Sequence, residues 1–210
     1  MGRDIGPKDK QSRRIGEKLF LKGARDLSAK SAIVKRAYPP GIHGPKSIGR
    51  KLTEYGRQLM AKQKIKKMYR LRERQFSNYY QAATKIKGDV SSNLLKLLEN
   101  RFDNTVYRLG FADSRDQARQ LVGHAHFMIN GKKVKTPSYQ MKLQDKITIR
   151  QKSQNNGYFK EVLKQVSGKD VPSWLEFDPQ SRIALVVDSP AVKDLNLGAD
   201  ITMTIEFYSR

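Results

Sequence analysis

The sequence predicts an α+β fold: a basic N-terminal arm, a mainly helical domain, then helices packed on a small, mostly antiparallel sheet. Three observations predict it. Apolar residues at spacings of three and four run from Tyr55 to Tyr69 and recur from Val106 to Val122. The dipeptide Asn130-Gly131 separates two short β-prone runs, and Ile147-Thr148-Ile149 supplies a further strand. Before about Leu52 neither period is sustained, and glycine and proline recur.

Charge indicates the partner. The 210 residues hold 42 Lys and Arg against 20 Asp and Glu, a formal net charge of +22. Self-repulsion of that size costs stability unless a polyanion neutralises it, so the excess points to nucleic acid. Residues 1–99 carry 25 basic and 8 acidic side chains, residues 100–164 carry 13 and 5, and residues 165–210 carry 4 and 7. The polyanion is therefore expected against the first three quarters of the chain, and protein or solvent against the last. Cysteine is absent, which removes disulfides, thiolate nucleophiles and sulfur-ligated zinc. His43, His124 and His126 are scattered and read as surface or RNA-facing imidazoles, so neither a metal nor a cofactor is expected. No apolar run reaches membrane-spanning length, and Met1 to Pro7 lacks a signal-peptide stretch, so neither membrane nor secretion is expected.

Three domains are expected: a basic arm over 1–52, a helical domain over 53–98 and an α/β domain over 99–196. The arm bends at Tyr38-Pro39-Pro40-Gly41 and Gly44-Pro45 and cannot build much core alone. Ile5, Leu19, Phe20, Leu21, Ile33 and Val34 supply anchors that simple tails lack, so RNA is expected to order it. Thr53 can cap one helix running toward Phe76, with Tyr55, Leu59, Ile65, Met68 and Tyr69 on one face. Its other faces carry Arg57, Lys62, Lys64, Lys66, Lys67, Arg70, Arg72 and Arg74, and Glu73 is the single acid between Tyr55 and Lys87. A solvated helix normally mixes signs, so this density predicts a phosphate-facing surface. Phe76, Tyr79 and Tyr80 read as core, Gly88 as a stop, and Ser91 or Ser92 as the cap of a short apolar helix ending near Glu99.

Residues 101–150 read as one compact module. Asp103 or Asn104 starts a helix that Gly110 ends, and Ser114-Arg115-Asp116-Gln117 is a capping box. On the next helix Ala118, Leu121 and Val122 share a face, flanked by Arg115 and Arg119 four residues apart, a spacing suited to a bidentate phosphate clamp. The Asn130-Gly131 turn lifts Lys132 and Lys133 to the loop edge beside it.

The pattern Ser114-Arg115, Ala118-Arg119, Leu121-Val122, Ile129-Asn130-Gly131-Lys132 and Val134 resembles the small RNA-binding domain named after ribosomal protein S-four, here covering about 101–164. Further stretches are similar to that ribosomal family along its whole length: Gly6-Pro7-Lys8, Ser12-Arg13-Arg14, Pro40-Gly41-Ile42-His43-Gly44, Tyr55-Gly56 and Arg74-Gln75-Phe76-Ser77-Asn78-Tyr79-Tyr80. Leu98-Glu99-Asn100-Arg101, Ser173-Trp174-Leu175-Glu176 and Glu206-Phe207-Tyr208 extend the match.

The resemblance implies a primary binder of small-subunit rRNA at a multi-helix junction of the 5′ domain, with no catalytic role. Carried over by motif, the implied RNA contacts are Arg13, Arg14, Arg57, Lys62, Lys64, Lys67, Arg70, Arg74, Arg101, Asn104, Arg115, Gln117, Arg119, His124, Lys132 and Lys133. Lys46, Arg50 and Lys51 follow the His-Gly turn, where the family lines the messenger RNA entry channel. Glu176 and Asp178, within the acidic stretch from Asp170 to Asp200, are implied contacts for ribosomal protein S-five, with other small-subunit proteins nearby and an influence on decoding accuracy. Some members hold the arm with four zinc-bound cysteines; here Asp9 stands where a cysteine can occur. Residues 201–208 alternate like a strand, whereas the resemblance has 197–210 completing the helical domain; both readings stand. The rivals are an RNA-modifying enzyme with the same module, such as a pseudouridine synthase, and a free-standing RNA regulator. The first needs a catalytic aspartate in a pocket, for which the rest of the chain offers no paired carboxylates in a strand-rich context. The second would wash off small subunits in high salt.

Overall fold

The computed structural model describes residues 4–47, 51–166, 171–191 and 198–209. The chain divides into two compact units: Met1–Leu94 together with Leu197–Arg210, and the continuous stretch Leu95–Asn196.

In the first unit, α1 (Lys8–Ile15), α2 (Ala24–Leu27) and α3 (Ala32–Lys35) occupy the segment expected as an arm. The segment is folded on protein: Leu19 and Leu21 are buried, and α1 packs on α3 and on α4 (Glu54–Met68). The arm thus has protein contacts of its own, beside those expected from RNA. Helices this short show no period, and the contacts that order them are polar and distant in sequence. Arg13 donates from Nε and Nη2 to the carbonyls of Tyr38 and Pro39 at 3.0 and 3.2 Å, and its guanidinium lies over the Tyr38 ring. Asp9 pairs with Lys22 at 2.7 Å.

Thr53 caps α4 by accepting from the Gly56 amide at 3.1 Å. The single helix expected to reach Phe76 is two, because the backbone turns left-handed at Arg70 (φ 55°) before α5 (Glu73–Lys85). Leu71 N–H donates to the Lys66 carbonyl and Arg70 N–H to that of Lys67, a Schellman closure that glycine usually makes. A non-glycine residue there costs about 1–2 kcal/mol. The Arg70 side chain offsets that cost by donating from Nη1 to Gln11 Oε1 at 2.9 Å and from Nη2 to the Asp4 carbonyl. The buried stripe of α4 runs through Gln58, Ala61, Lys62 and Ile65 and on to Tyr69, while Tyr55 is half exposed. α6 (Val90–Glu99) is capped by Asp89, which accepts from the amides of Ser91 and Ser92, so neither serine is the cap.

The second unit opens with α7 (Phe102–Arg108), closed on Gly110 (φ 79°), and α8 (Arg115–Gly123). Ser114 Oγ accepts from the Gln117 amide at 3.3 Å; Gln117 Oε1 reaches the amide of Asp113, one residue before the expected partner. There follow β1 (Phe127–Ile129), β2 (Lys132–Lys133), β3 (Lys146–Ile149), α9 (Gln151–Gln154), α10 (Gly157–Val166), β4 (Leu175–Asp178) and β5 (Ile183–Val186). The sheet order is β2-β1-β3-β5-β4, with every neighbouring pair antiparallel. Its core holds Phe102, Phe111, Phe127, Phe159 and Trp174, with edge-to-face contacts between Phe127 and both Phe102 and Phe159.

Asn130 (φ 48°) and Gly131 (φ 76°) form the tight turn between β1 and β2. Asn130 does more than tolerate positive φ. Its Nδ2 donates to Asp145 Oδ1 at 2.8 Å, and its Oδ1 accepts from the Lys146 amide at 2.9 Å, tying the hairpin to β3. Asn130→Ala is expected to cost about 2 kcal/mol, from backbone strain plus the lost partners of a buried carboxylate. Thermal melting checks this; an unchanged midpoint would mean that the turn holds without the side chain.

α11 (Gly198–Ser209) returns to the first unit and packs on α4. The strand reading of 201–208 is thereby corrected. Ile201 and Thr204 are buried at a spacing of three, Ile205 and Tyr208 extend the face, and packing on α4 overrides the β-branched composition. Lys62 Nζ lies 4.2 Å from the Phe207 ring centre, Gln58 donates to Glu206 at 3.0 Å, and Tyr208 stacks on Tyr80 at 4.6 Å.

Glu73 joins three elements, accepting from Lys62 and Lys66 at 2.7 Å and from the Tyr208 hydroxyl at 2.9 Å. Burial acts to raise its carboxyl, but these hydrogen bonds win and hold it well below its ordinary 4.5, at about 2. A depressed folded-state value contributes stability that is present above pH 4.5 and is lost as pH falls toward 2. Glu73→Gln should therefore melt below the unmodified chain at neutral pH, and the gap should close across that window. A gap independent of pH would show that the carboxylate charge does not hold α11.

Candidate nucleic-acid interface

The one-sign charge density expected over α4 and α5 is partly neutralised by Glu73 within it and by two acids brought from far along the chain. Lys62 and Lys66 meet Glu73, and Lys64 bridges Glu17 and Asp200 at 2.6 and 2.7 Å. Burial opposes the Lys64 charge, yet its bonds to Asp200 and Glu17 raise it above the usual lysine value. Lys62 is buried and Arg70 is 3% exposed, both facing inward. Of the expected contacts in the first unit, Arg14, Lys46, Lys51, Arg57 and Arg74 are exposed and Lys67 is half-buried. Arg13 is half-buried on the Tyr38 turn, and Arg50 lies outside the described residues.

In the second unit, four of the expected contact residues gather in one buried network. Arg101, 1% exposed, donates to both carboxylate oxygens of Asp103 at 3.1 and 2.8 Å. Arg119 lies 3.6 Å from the same carboxylate. Asn104 donates to the Glu99 side chain at 2.8 Å and accepts from Arg115 Nε at 2.8 Å, and Arg115 stacks over the Tyr107 ring. Arg108 closes the cluster with two bonds to Glu99, which is wholly buried. The expected clamp on an open flank of α8 is thus corrected in its geometry. The acceptors that turn Arg115 and Arg119 inward come from α7 and its approach, elements that a single helical wheel does not contain. Gln117 is likewise engaged locally, donating to the Tyr158 hydroxyl at 3.1 Å.

Outside this network the second unit presents Lys132 and Lys133 on β2, with His124 exposed at the end of α8. His126 beside it is half-buried, with Nδ1 2.9 Å from Ser153 Oγ; burial, then the nearby His124 and Arg150 charges, push it below its ordinary value. Glu176 and Asp178 are exposed on β4. The Asp178 carboxylate folds onto its own turn, where hydrogen bonds from the Ser181 side chain first, then from the Gln180 and Ser181 amides, lower it. Asp170 lies outside the described residues.

Lys10 was missed as a candidate. It sits one helical turn before Arg14 on α1, and the i, i+4 pair of cations after Pro7 was its signal.

Comparison with known proteins gives the family. Residues 3–99 match the family described as the Ribosomal protein S4/S9 N-terminal domain, and residues 101–147 match the S4 domain. The chain is 45% identical over 210 residues to the small ribosomal subunit protein uS4 of Caldicellulosiruptor saccharolyticus, covering all of both chains. It is 44% identical over 211 residues to that of Desulforamulus reducens and 45% identical over 211 residues to that of Trichlorobacter lovleyi, again with full coverage of both chains. With both family matches laid end to end along two separately cored units, the chain belongs to the uS4 family of small-subunit ribosomal proteins.

Proposed function

We propose that the chain is a primary rRNA-binding constituent of the small ribosomal subunit, seated without chemistry of its own at a multi-helix junction of the 5′ domain. The observation that carries this reading is the outward cationic surface of both units, Arg14, Arg57, Lys67 and Arg74 in one and Lys132 and Lys133 in the other. Junction RNA presents converging phosphate backbones, and A-form helices are bound by shape and backbone more than by base sequence. Fixed cations on two folded units suit that target. Arg101, Asn104, Arg115 and Arg119 then act chiefly by holding α7 against α8, so that their backbone and remaining edges meet RNA in a set geometry. Lys46, Arg50 and Lys51 line the messenger entry channel, and the acidic stretch bearing Glu176 and Asp178 faces ribosomal protein S-five.

Hydroxyl-radical footprinting of the full chain on deproteinised small-subunit rRNA tests the reading. Protection should concentrate at one junction of the 5′ domain. Diffuse protection, or none, would overturn it. The protein-contact part is tested separately: reversing charge at Glu176 or Asp178 should alter misreading or subunit assembly, and no change in either counts against it.

A further inference from the structure

Beside α1 the first unit has a surface cleft of about 390 Å³ whose lining includes Lys10, Gln11, Arg14, Pro40, Gly41 and Lys67. Three of these are cations, and no carboxylate belongs to the lining. Among the described residues no acid forms an ion pair with Lys10, Arg14 or Lys67, unlike Lys62, Lys64 and Lys66 on the same α4. Lys67 is held below the usual lysine value by burial first, with Lys66, Arg14 and Arg70 adding to the effect and Asp4 opposing it.

The walls are fixed from behind. Gln11 is locked between Asp4 and Arg70, donating to the first at 2.9 Å and accepting from the second at 2.9 Å. The Pro40–Gly41 wall is held by Arg13 through the Tyr38 and Pro39 carbonyls that precede it. Gly44 closes that turn so tightly that a Cβ there would stand 1.9 Å from the Pro39 oxygen. Positive charges converging on a rigid concavity whose lining holds no carboxylate are arranged for an anion with several acceptor oxygens.

We propose that this cleft is a dedicated phosphate site, in which Lys10, Arg14 and Lys67 together take one phosphate group. The group can be carried by the RNA backbone, in which case the inference rests on the functional reading above, or by a free phosphate compound.

Two arms distinguish the sources, each using the full chain. Arg14→Ala with Lys67→Ala is compared with Lys85→Ala with Lys87→Ala, which removes the same charge from the same unit. In the first arm, binding to small-subunit rRNA is measured across a salt series. Loss of an RNA phosphate should flatten the slope of log affinity against log salt by roughly 0.7–0.9 per contact in the cleft variant only. In the second arm, inorganic pyrophosphate is titrated calorimetrically without RNA. A signal present in the unmodified chain and the control, and lost in the cleft variant, assigns the site to a free phosphate compound. Either result supports the cleft; equal behaviour of the two variants in both arms overturns it. Should the unmodified chain fail to bind rRNA while pyrophosphate binding depends on the cleft, the functional reading falls and the site stands. If the alanine pair melts early, Arg14→Gln with Lys67→Gln repeats both arms with the charge removed and the side-chain bulk kept.

Discussion

Raising monovalent salt from about 50 to about 200 mM is expected to weaken binding to small-subunit rRNA by about 10³ to 10⁵, the loss that goes with six to ten neutralised phosphates. On the proposed function, the exposed cations would carry it. Internal acids occupy Lys62, Lys64 and Lys66, so the counterion-releasing set is drawn from exposed or half-buried cations such as Lys10, Arg14, Lys46, Lys51, Arg57, Lys67, Arg74, Lys132 and Lys133. Changing any one of these should lower affinity similarly on all folded rRNA fragments and flatten the salt slope. Lys64→Ala should act differently, loosening α11 more than it changes the slope. Filter binding across four salt concentrations checks both statements. An affinity that is flat across the range would remove the electrostatic basis of the functional reading.

Asp103→Ala is expected to destabilise the second unit by about 3–5 kcal/mol, because it leaves buried guanidinium charge without its carboxylate. The carboxylate meets Arg101 twice, lies near Arg119 and accepts from the Asn104 amide at 3.0 Å. Replacing both partners, as Arg101→Met with Asp103→Leu, should recover most of the loss, since apolar pairs of similar volume are often neutral substitutes for buried ion pairs. Chemical denaturation followed through Trp174, a core residue of that unit, reads both variants. A single mutant within about 1 kcal/mol of the unmodified chain would show that water reaches the network.

What could be read from the sequence divides along the distance between partners. The Asn130-Gly131 turn, the Ser114 cap and the Gly110 stop were legible, because each is decided by backbone angles and donors within a few residues. The break at Arg70 was not, because the residue that turns left-handed is an arginine, and Gln11, 59 positions earlier, helps to hold it there. The cationic candidates were similarly split. Lys132 and Lys133 sit at a local hairpin edge and are exposed as expected, whereas the occupation of Lys64 depends on Glu17 and Asp200, which no window around it contains. Alternation misled at 201–208, where Ile201, Thr204, Ile205 and Tyr208 satisfy a helical period equally well.

The continuous stretch Leu95–Asn196 interrupts the first unit, whose α4 and α11 meet across 148 positions at Gln58 and Glu206. Vectorial synthesis therefore delivers the sheet-bearing half whole, while the other half still waits for its closing helix. Loop closure grows dearer only slowly with length, and more slowly still once the intervening residues have condensed into a compact body. A nascent chain stalled short of Gly198 would thus carry one finished half and one with the Gln58 and Lys62 face of α4 uncovered, exposed to chaperones and proteases until the helix arrives.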